Sequence, residues 1–353
     1  MIRLQRSMLD GLTGPNPSLD KVRQSLQRAI KLEHATIPVY LYALYSLDAA
    51  KNPAIASIIR SVVVEEMLHM VLACNVLNAI GGSPVINTPD FIPDYPGPLP
   101  GGVQSQLNVQ LAPFSKDQLQ TFLTIEEPEH PINFPTAMAA TDTITIGQFY
   151  AAISAALAVL SVSVFVSPPR NQVGPDLMYE AVVVTEVISA QQAIRTIVDQ
   201  GEGTSTSPEE VVGGKYAHYY RYMQIQKGHL LVLTPGGPDP EHQYAYTGAA
   251  VAFDPTGVSA APTNPGNYTP GSAAAFANDN FNYTYTSLLN ALHQMVNGEA
   301  TSDQFNRALG LMMSLKGQAK AMMSGIPDPS QITGPSFQYL AVNPAVAVSA
   351  AAG

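Results

Sequence analysis

The chain has 353 residues, a net charge of −10, 46% hydrophobic residues and only 12% charged ones, against about 25% charged in an ordinary globular protein. Such a balance provides for a sizeable core and accommodates a homo-oligomer with a covered face, and it excludes nucleic acid and anionic membrane as partners. The single cysteine, Cys74, excludes an intrachain disulfide and a Cys-based metal cluster. Residues 1–6 lack an apolar signal core, and no uncharged apolar run in a helical context reaches the ~20 residues needed to span a bilayer. The expectation is a soluble, cytoplasmic protein.

Residues 1–17 read as irregular, closing on Gly14-Pro15-Asn16-Pro17. Ser18 is a good N-cap, and apolar spacing predicts a helix over residues 19–50. Inside it Pro38 removes a backbone bond to His34, next to Glu33. Asn52-Pro53 starts a second helix, over residues 53–80, which Gly81-Gly82 stops. It carries Glu65, Glu66 and His69 within an apolar run. Residues 81–145 are an insertion, proline-broken to about 103, with a weak strand over 106–111 and a short helix over 115–123. Glu126-Glu127-Pro128-Glu129 reads as a solvated turn.

A third bundle helix is predicted over residues 146–165 and a fourth over 176–200, where Glu186 faces inward if Val183, Val187 and Ala190 form the core stripe. The next helix, 214–227, carries His218. Residues 228–280 form a loop-rich excursion, and two C-terminal helices follow within 281–325. The whole is an all-α chain: one domain, 1–353, with its bundle core at about 19–80 and 146–227.

Chemistry enters through Glu66 and His69. Positions i and i+3 share one helix face, so a carboxylate and an imidazole can grip one ion. Measured from the turn near Lys51, Glu33 lies about 18 residues before it, Glu66 about 15 after and His69 about 18 after. At ~1.5 Å per residue all three stand ~22–27 Å from the turn. In an antiparallel hairpin they share a level. Buried Glu is rarely tolerated without a compensating charge, and the nearest cation in sequence is Arg60, so a metal ion is the economical partner. Glu202 and His218 flank a short connection and can meet. Carboxylate and imidazole donors without thiolate suit iron or manganese, and zinc is acceptable. Tyr40, seven residues after Glu33, lies on the same face; His34 points about 100° away and reads as structural.

Leu32-Glu33-His34-Ala35-Thr36-Ile37-Pro38, Glu65-Glu66-Met67-Leu68-His69, Thr145-Ile146-Gly147-Gln148-Phe149-Tyr150, Gln200-Gly201-Glu202-Gly203-Thr204 and His218-Tyr219-Tyr220-Arg221-Tyr222 resemble the ferritin-like proteins of the iminophenyl-pyruvate dimer synthase family. The similarity runs from about residue 20 to 340. It implies a ferritin-like four-helix bundle with long loop insertions and extra C-terminal helices. It also implies that Glu33, Glu66, His69, Glu202 and His218 bind metal. Gln148 stands where the family pattern often has Glu. A neutral carbonyl is a poorer ligand for a hard cation, so one iron, or one tight and one loose ion, is expected, with Glu186 as a substitute carboxylate. The expected function is metal-dependent oxidation of a small organic, amino-acid-derived substrate by O₂ or peroxide. The alternatives are a non-enzymatic iron-binding or storage protein and a metal-poor scaffold.

Overall fold

The structure is a computed structural model that describes residues 3–101, 107–128, 143–202, 208–209, 214–234 and 244–341. Eight α-helices are present among these residues: α1 Leu19–Ser46, α2 Pro53–Ala79, α3 Lys116–Glu126, α4 Ile146–Leu160, α5 Val187–Glu202, α6 His218–Lys227, α7 Ala273–Asn297 and α8 Ser302–Met323. Among the described residues strands are confined to two short antiparallel pairs, Leu4–Gln5 with Thr143–Ile144 and Val232–Leu233 with Tyr244–Ala245. Among the described residues no helix is long and apolar enough to cross a membrane.

Helix α1 starts where its side chains dictate. Ser18 accepts from the Lys21 N–H, which satisfies one of the orphan donors at a helix start. Pro38 does not break it: α1 runs on to Ser46. The Thr36 hydroxyl donates to the Glu33 carbonyl at 3.0 Å and Tyr95 to the Ala35 carbonyl at 2.6 Å, the oxygens on either side of the His34 carbonyl that Pro38 leaves without its helical donor. The short 47–52 turn folds α2 back on α1, and both are buried along most of their length. Helices α4 and α5 pack together and against α1 and α2 respectively, which completes a four-helix bundle. The pair α3–α6 closes one side through α2 and α5, while the α7–α8 hairpin lies on the opposite side of α1 and α2.

Several boundaries differ from the sequence expectation. Residues 171–186 are not helical, and α5 begins only at Val187, where the Ser189 hydroxyl accepts from the Thr185 and Glu186 N–H groups at 2.9 and 3.1 Å. Helix α6 begins at His218 rather than 214, and α7 begins at Ala273, capped by Ser272. Within 107–111 there is no strand, only a single bridge between Val109 and Gly97; residue 106 lies outside the described residues.

The non-helical 171–184 stretch is held by the fully buried Asn75 of α2. Its Nδ2 donates to the Val173 and Val182 carbonyls, both at 2.9 Å, and its Oδ1 accepts from the Val173 N–H at 3.0 Å. Asn75→Ala strands three backbone groups in a dry contact, each costing roughly 1–3 kcal/mol. The expected loss is ~2–4 kcal/mol, after relaxation, read as a lower urea midpoint at unchanged slope.

Candidate metal centre

Five chemically capable side chains converge inside the bundle: Glu33 from α1, Glu66 and His69 from α2, Glu126 from the last turn of α3, and His218 from the first turn of α6. Glu33, Glu66, His69 and His218 are buried as whole residues, and the Glu126 side chain is 9% exposed. Glu66, His69 and His218 each offer a ligand atom within 4.8 Å of the others. The two imidazole rings stack with centroids 5.3 Å apart, tilted by 18°. Leu32, Ile125, Ile146 and Ile197 wall a pocket of about 50 Å³ beside them.

Each imidazole is held from behind. His69 Nε2 lies 3.1 Å from Gln200 Oε1, an acceptor, so Nε2 carries the proton and Nδ1 is turned inward, 3.5 Å from Glu33 Oε2. His218 Nε2 is 3.2 Å from Glu65 Oε2. Its Nδ1 lies 2.9 Å from Glu66 Oε1 and 3.4 Å from Glu126 Oε2, yet it makes no aligned hydrogen bond. Short distance without alignment is what donor atoms show when they face a common point rather than one another. A carboxylate or amide behind each ring is also the arrangement that fixes the tautomer of a metal-binding histidine.

The carboxylates are braced in turn. Tyr150 donates to Glu33 Oε1 at 2.5 Å, and Tyr40 donates to Glu126 Oε1. Gln200 donates to Glu180 at 3.2 Å. Glu65 is gripped by Arg221, through Nη2 on Oε2 and Nη1 on Oε1 at 3.2 Å, and by Lys215 at 3.2 Å. Burial pushes the Glu65 carboxyl up, but the hydrogen bond from His218 and the Arg221 guanidinium outweigh it and hold the carboxyl far below its usual range. These two nearby cations are therefore engaged outside the centre.

Inside, the electrostatics are unbalanced. Burial, then the Glu126 charge, pushes the Glu66 carboxyl up to about 7, against the pull of His218. Burial alone would lower both imidazoles; Glu126, with Glu65 and Glu66, drives His218 well above its ordinary value, and Glu33 raises His69. Burial opposes ionisation of Glu33 too, but His69 and Tyr150 more than offset it and its carboxyl falls. Three carboxylates sharing two imidazolium protons are costly in an apolar enclosure. A cation removes that cost, and the all-oxygen-and-nitrogen donor set fits iron or manganese.

The structure thus brings Glu33, Glu66, His69 and His218 together. Glu202 ends α5, two residues beyond the Gln200 that holds His69; its side chain, and residues 203–207, lie outside the described residues. Gln148 is not at the centre. It sits exposed at the third position of α4, where its N–H donates to the Thr145 hydroxyl and its Oε1 accepts from the Thr145 N–H, closing the helix start. Glu186 is exposed and precedes α5, and Val183 is 40% exposed, so the proposed core stripe does not form. Tyr40 is fully buried and serves Glu126. Glu126 corrects the reading of 126–129 as a solvated turn: α3 continues one turn further, since Ile125 joins Leu119 and Phe122 on the buried face. A cation does reach Glu65 of α2, but from α6: it is Arg221. The spacing His218-x-x-Arg221 was the signal for it, one helix face presenting an imidazole and a guanidinium together.

A ferritin-like family model matches residues 26–227, more than half of the chain. The chain belongs to the ferritin-like family. This ferritin-like chain also superposes on the crystal structure of a ferritin-like protein from Caulobacter vibrioides with a TM-score of 0.61. Identity is 23%, over 92% of this chain and 99% of that one, a likeness of fold. No curated protein matches the sequence.

Removing the brace behind His218 while keeping its shape separates the arrangement from a merely structural polar cluster. Glu65→Gln should weaken Mn(II) binding by about 10–100-fold, measured by competition with a chelator. Gln148→Glu should leave metal affinity unchanged.

Proposed function

We propose that this ferritin-like chain is a non-haem metalloprotein that oxidises a small organic, amino-acid-derived molecule with O₂ or peroxide. The reading follows the iminophenyl-pyruvate dimer synthase resemblance in reaction class. Iron, as one or two ions, is the preferred metal, with manganese or zinc acceptable. Glu33, Glu66, His69, Glu126 and His218 would hold it, with Glu202 as a further carboxylate. The observation that carries this reading is His218: its Nε2 is tied to Glu65 while its buried Nδ1 sits among two carboxylates without a hydrogen bond.

The bound metal supplies the electron transfer to O₂ or peroxide, for which the protein's side chains have no equivalent. The residues supply the rest. Tyr150 and Tyr40 fix the outer oxygens of Glu33 and Glu126. Gln200 and Glu65 set both imidazole tautomers. In the metal-free chain Glu66, with its carboxyl pushed up to about 7, can hold a proton near neutral pH, which a bound ion would displace. Ile125, Ile146 and Ile197 keep bulk water from the pocket, and Glu127 and Gly201 line it beside them.

The pocket's size favours a second reading, iron binding or storage without an organic substrate. About 50 Å³ admits a few water-sized molecules and is smaller than the ~300–1,000 Å³ of sites for drug-sized ligands. Aerobic Fe(II) titration distinguishes the two. An oxidase saturates at one or two ions per chain and consumes O₂ continuously only with an organic reductant; a store keeps taking up iron. A protein isolated from iron- and manganese-replete cells without either metal overturns both.

Protons compete with metal here. Glu66, His69 and His218 each bind a proton more tightly in the folded chain than in the unfolded one. Their contribution to metal-free stability is therefore complete at low pH and is lost as pH rises, for Glu66 from about 4.5 through about 7. Two outcomes follow. Mn(II) affinity should climb by at least tenfold between about pH 6 and pH 8, with proton release on binding. The thermal midpoint of the metal-free protein should fall over the same interval, and saturating Mn(II) should reverse the fall.

A further inference from the structure

A second, larger cavity lies on the other side of the α1–α2 hairpin. It occupies about 380 Å³ between that hairpin and α7–α8, within the ~300–1,000 Å³ range of small-molecule sites. It shares no lining residue with the metal centre. Its walls are aliphatic, with Leu41 and Leu44 from α1, Met67 from α2, Leu288 and Leu292 from α7, and Met312 from α8. It reaches inward to buried Phe337 and to His34, whose Nε2 lies 2.7 Å from the Tyr285 hydroxyl. Met residues fill such a wall adaptably, because the thioether chain is unbranched and polarisable.

Its polar lining is one-sided. Arg60, Lys316 and Lys320 line the cavity, and no Asp or Glu does among the described residues. Lys320 feels the other two: burial, then Lys316, with a further contribution from Arg60, lowers its ammonium despite the opposing charge of Asp48. None of the three forms an ion pair among the described residues; Lys320 donates to the Leu47 carbonyl at 3.0 Å. In a chain with 17 basic and 27 acidic residues, three cations gathered on one apolar cavity ask for an anion. Exposed Val64, Leu309 and Met313 also line this space. A second copy of the chain fits it poorly, since an isologous contact would set two such cation groups against each other, and a flat face would leave the depth unfilled.

We propose that this cavity binds a medium- or long-chain carboxylate, with the aliphatic chain among the Leu and Met side chains and the head group on Arg60, Lys316 and Lys320. Nonpolar walls with a few convergent charged groups are the usual composition of a small-molecule site. Charge-assisted hydrogen bonds then fix the orientation of the head group.

The chain has no tryptophan, so Leu309→Trp, at a 41% exposed position, gives a single local reporter. Dodecanoate and dodecanol, both kept below micelle formation, are titrated into wild type by calorimetry and into L309W by emission. The expected result is saturable dodecanoate binding at one site per chain, a shift in the reporter's emission, and dodecanol at least about tenfold weaker. The double variant Arg60→Gln/Lys316→Gln, at two exposed positions, should lose about tenfold in dodecanoate affinity and none in metal content. Equal binding of the alcohol and the acid overturns the proposal, as does binding without a reporter shift. So does the absence of saturable binding, or a dimer in sedimentation that Met313→Asp dissolves.

Discussion

Burying carboxylates in an apolar bundle is the constraint from which the rest of the architecture follows. Glu33, Glu66 and Glu126 meet in a buried enclosure, and the two cations in reach, Arg221 and Lys215, are held by a fourth carboxylate, Glu65. Such a group of charges is tolerated only when each oxygen has a partner and the net charge is shared. Every helix around the centre contributes to that. Helix α4 supplies the Tyr150 hydroxyl, α5 the Gln200 amide, and α6 both His218 and Arg221. The bundle is thus a set of supports for a small, highly charged interior.

Beside the one continuous hydrophobic core that joins the helices, buried polar side chains anchor the irregular segments. Asn75 and Asn78 of α2 are fully buried and bond to backbone groups of the 171–182 stretch and of α7. Asn282 of α7 binds the Ser336 hydroxyl at 2.8 Å. These contacts hold irregular segments whose backbone groups would otherwise lie unpaired in a dry interface. They let a chain of low charge and high proline content keep long non-helical excursions without weakening the helices beneath.

The α1–α2 hairpin has two working faces. Neighbours Glu33 and His34 point about 100° apart on α1: Glu33 joins the charged centre, while His34 lines the apolar cavity, packed on Phe91 with ring centroids 4.5 Å apart. Burial, then Lys31, pushes the His34 imidazole down to about 3, so it is neutral where Glu33 is ionised. One helix thereby separates a polar compartment from a nonpolar one, and it continues through Pro38 between them.

How much of this was legible depended on whether the signal was local. Glu33, Glu66 and His69 could be brought to one level by counting residues from a single tight turn, because helix rise is constant and a short connection forces an antiparallel return. The all-α class followed from the same periodicity, and the ferritin-like bundle from the family resemblance. Glu126 was misread because a proline two residues later made it look like part of a loop; only the packing of Ile125 on its buried neighbours shows that α3 runs on to Glu126. Gln148 was brought into the reading by the family pattern, which says nothing of its place at the helix start, and Glu186 was misread because sequence gives the angle of a residue on a helix but not where that helix begins. A capping box at Thr145 and a late start to α5 carried both residues to the surface. The sequence by itself determined which residues could be ligands and which helix face they share, since both depend on chemistry and a fixed 3.6-residue turn. Tertiary structure alone decided which carboxylates meet, which cations are engaged elsewhere, and that a second, apolar chamber lies behind the first, because each of these depends on how separate helices are placed against one another.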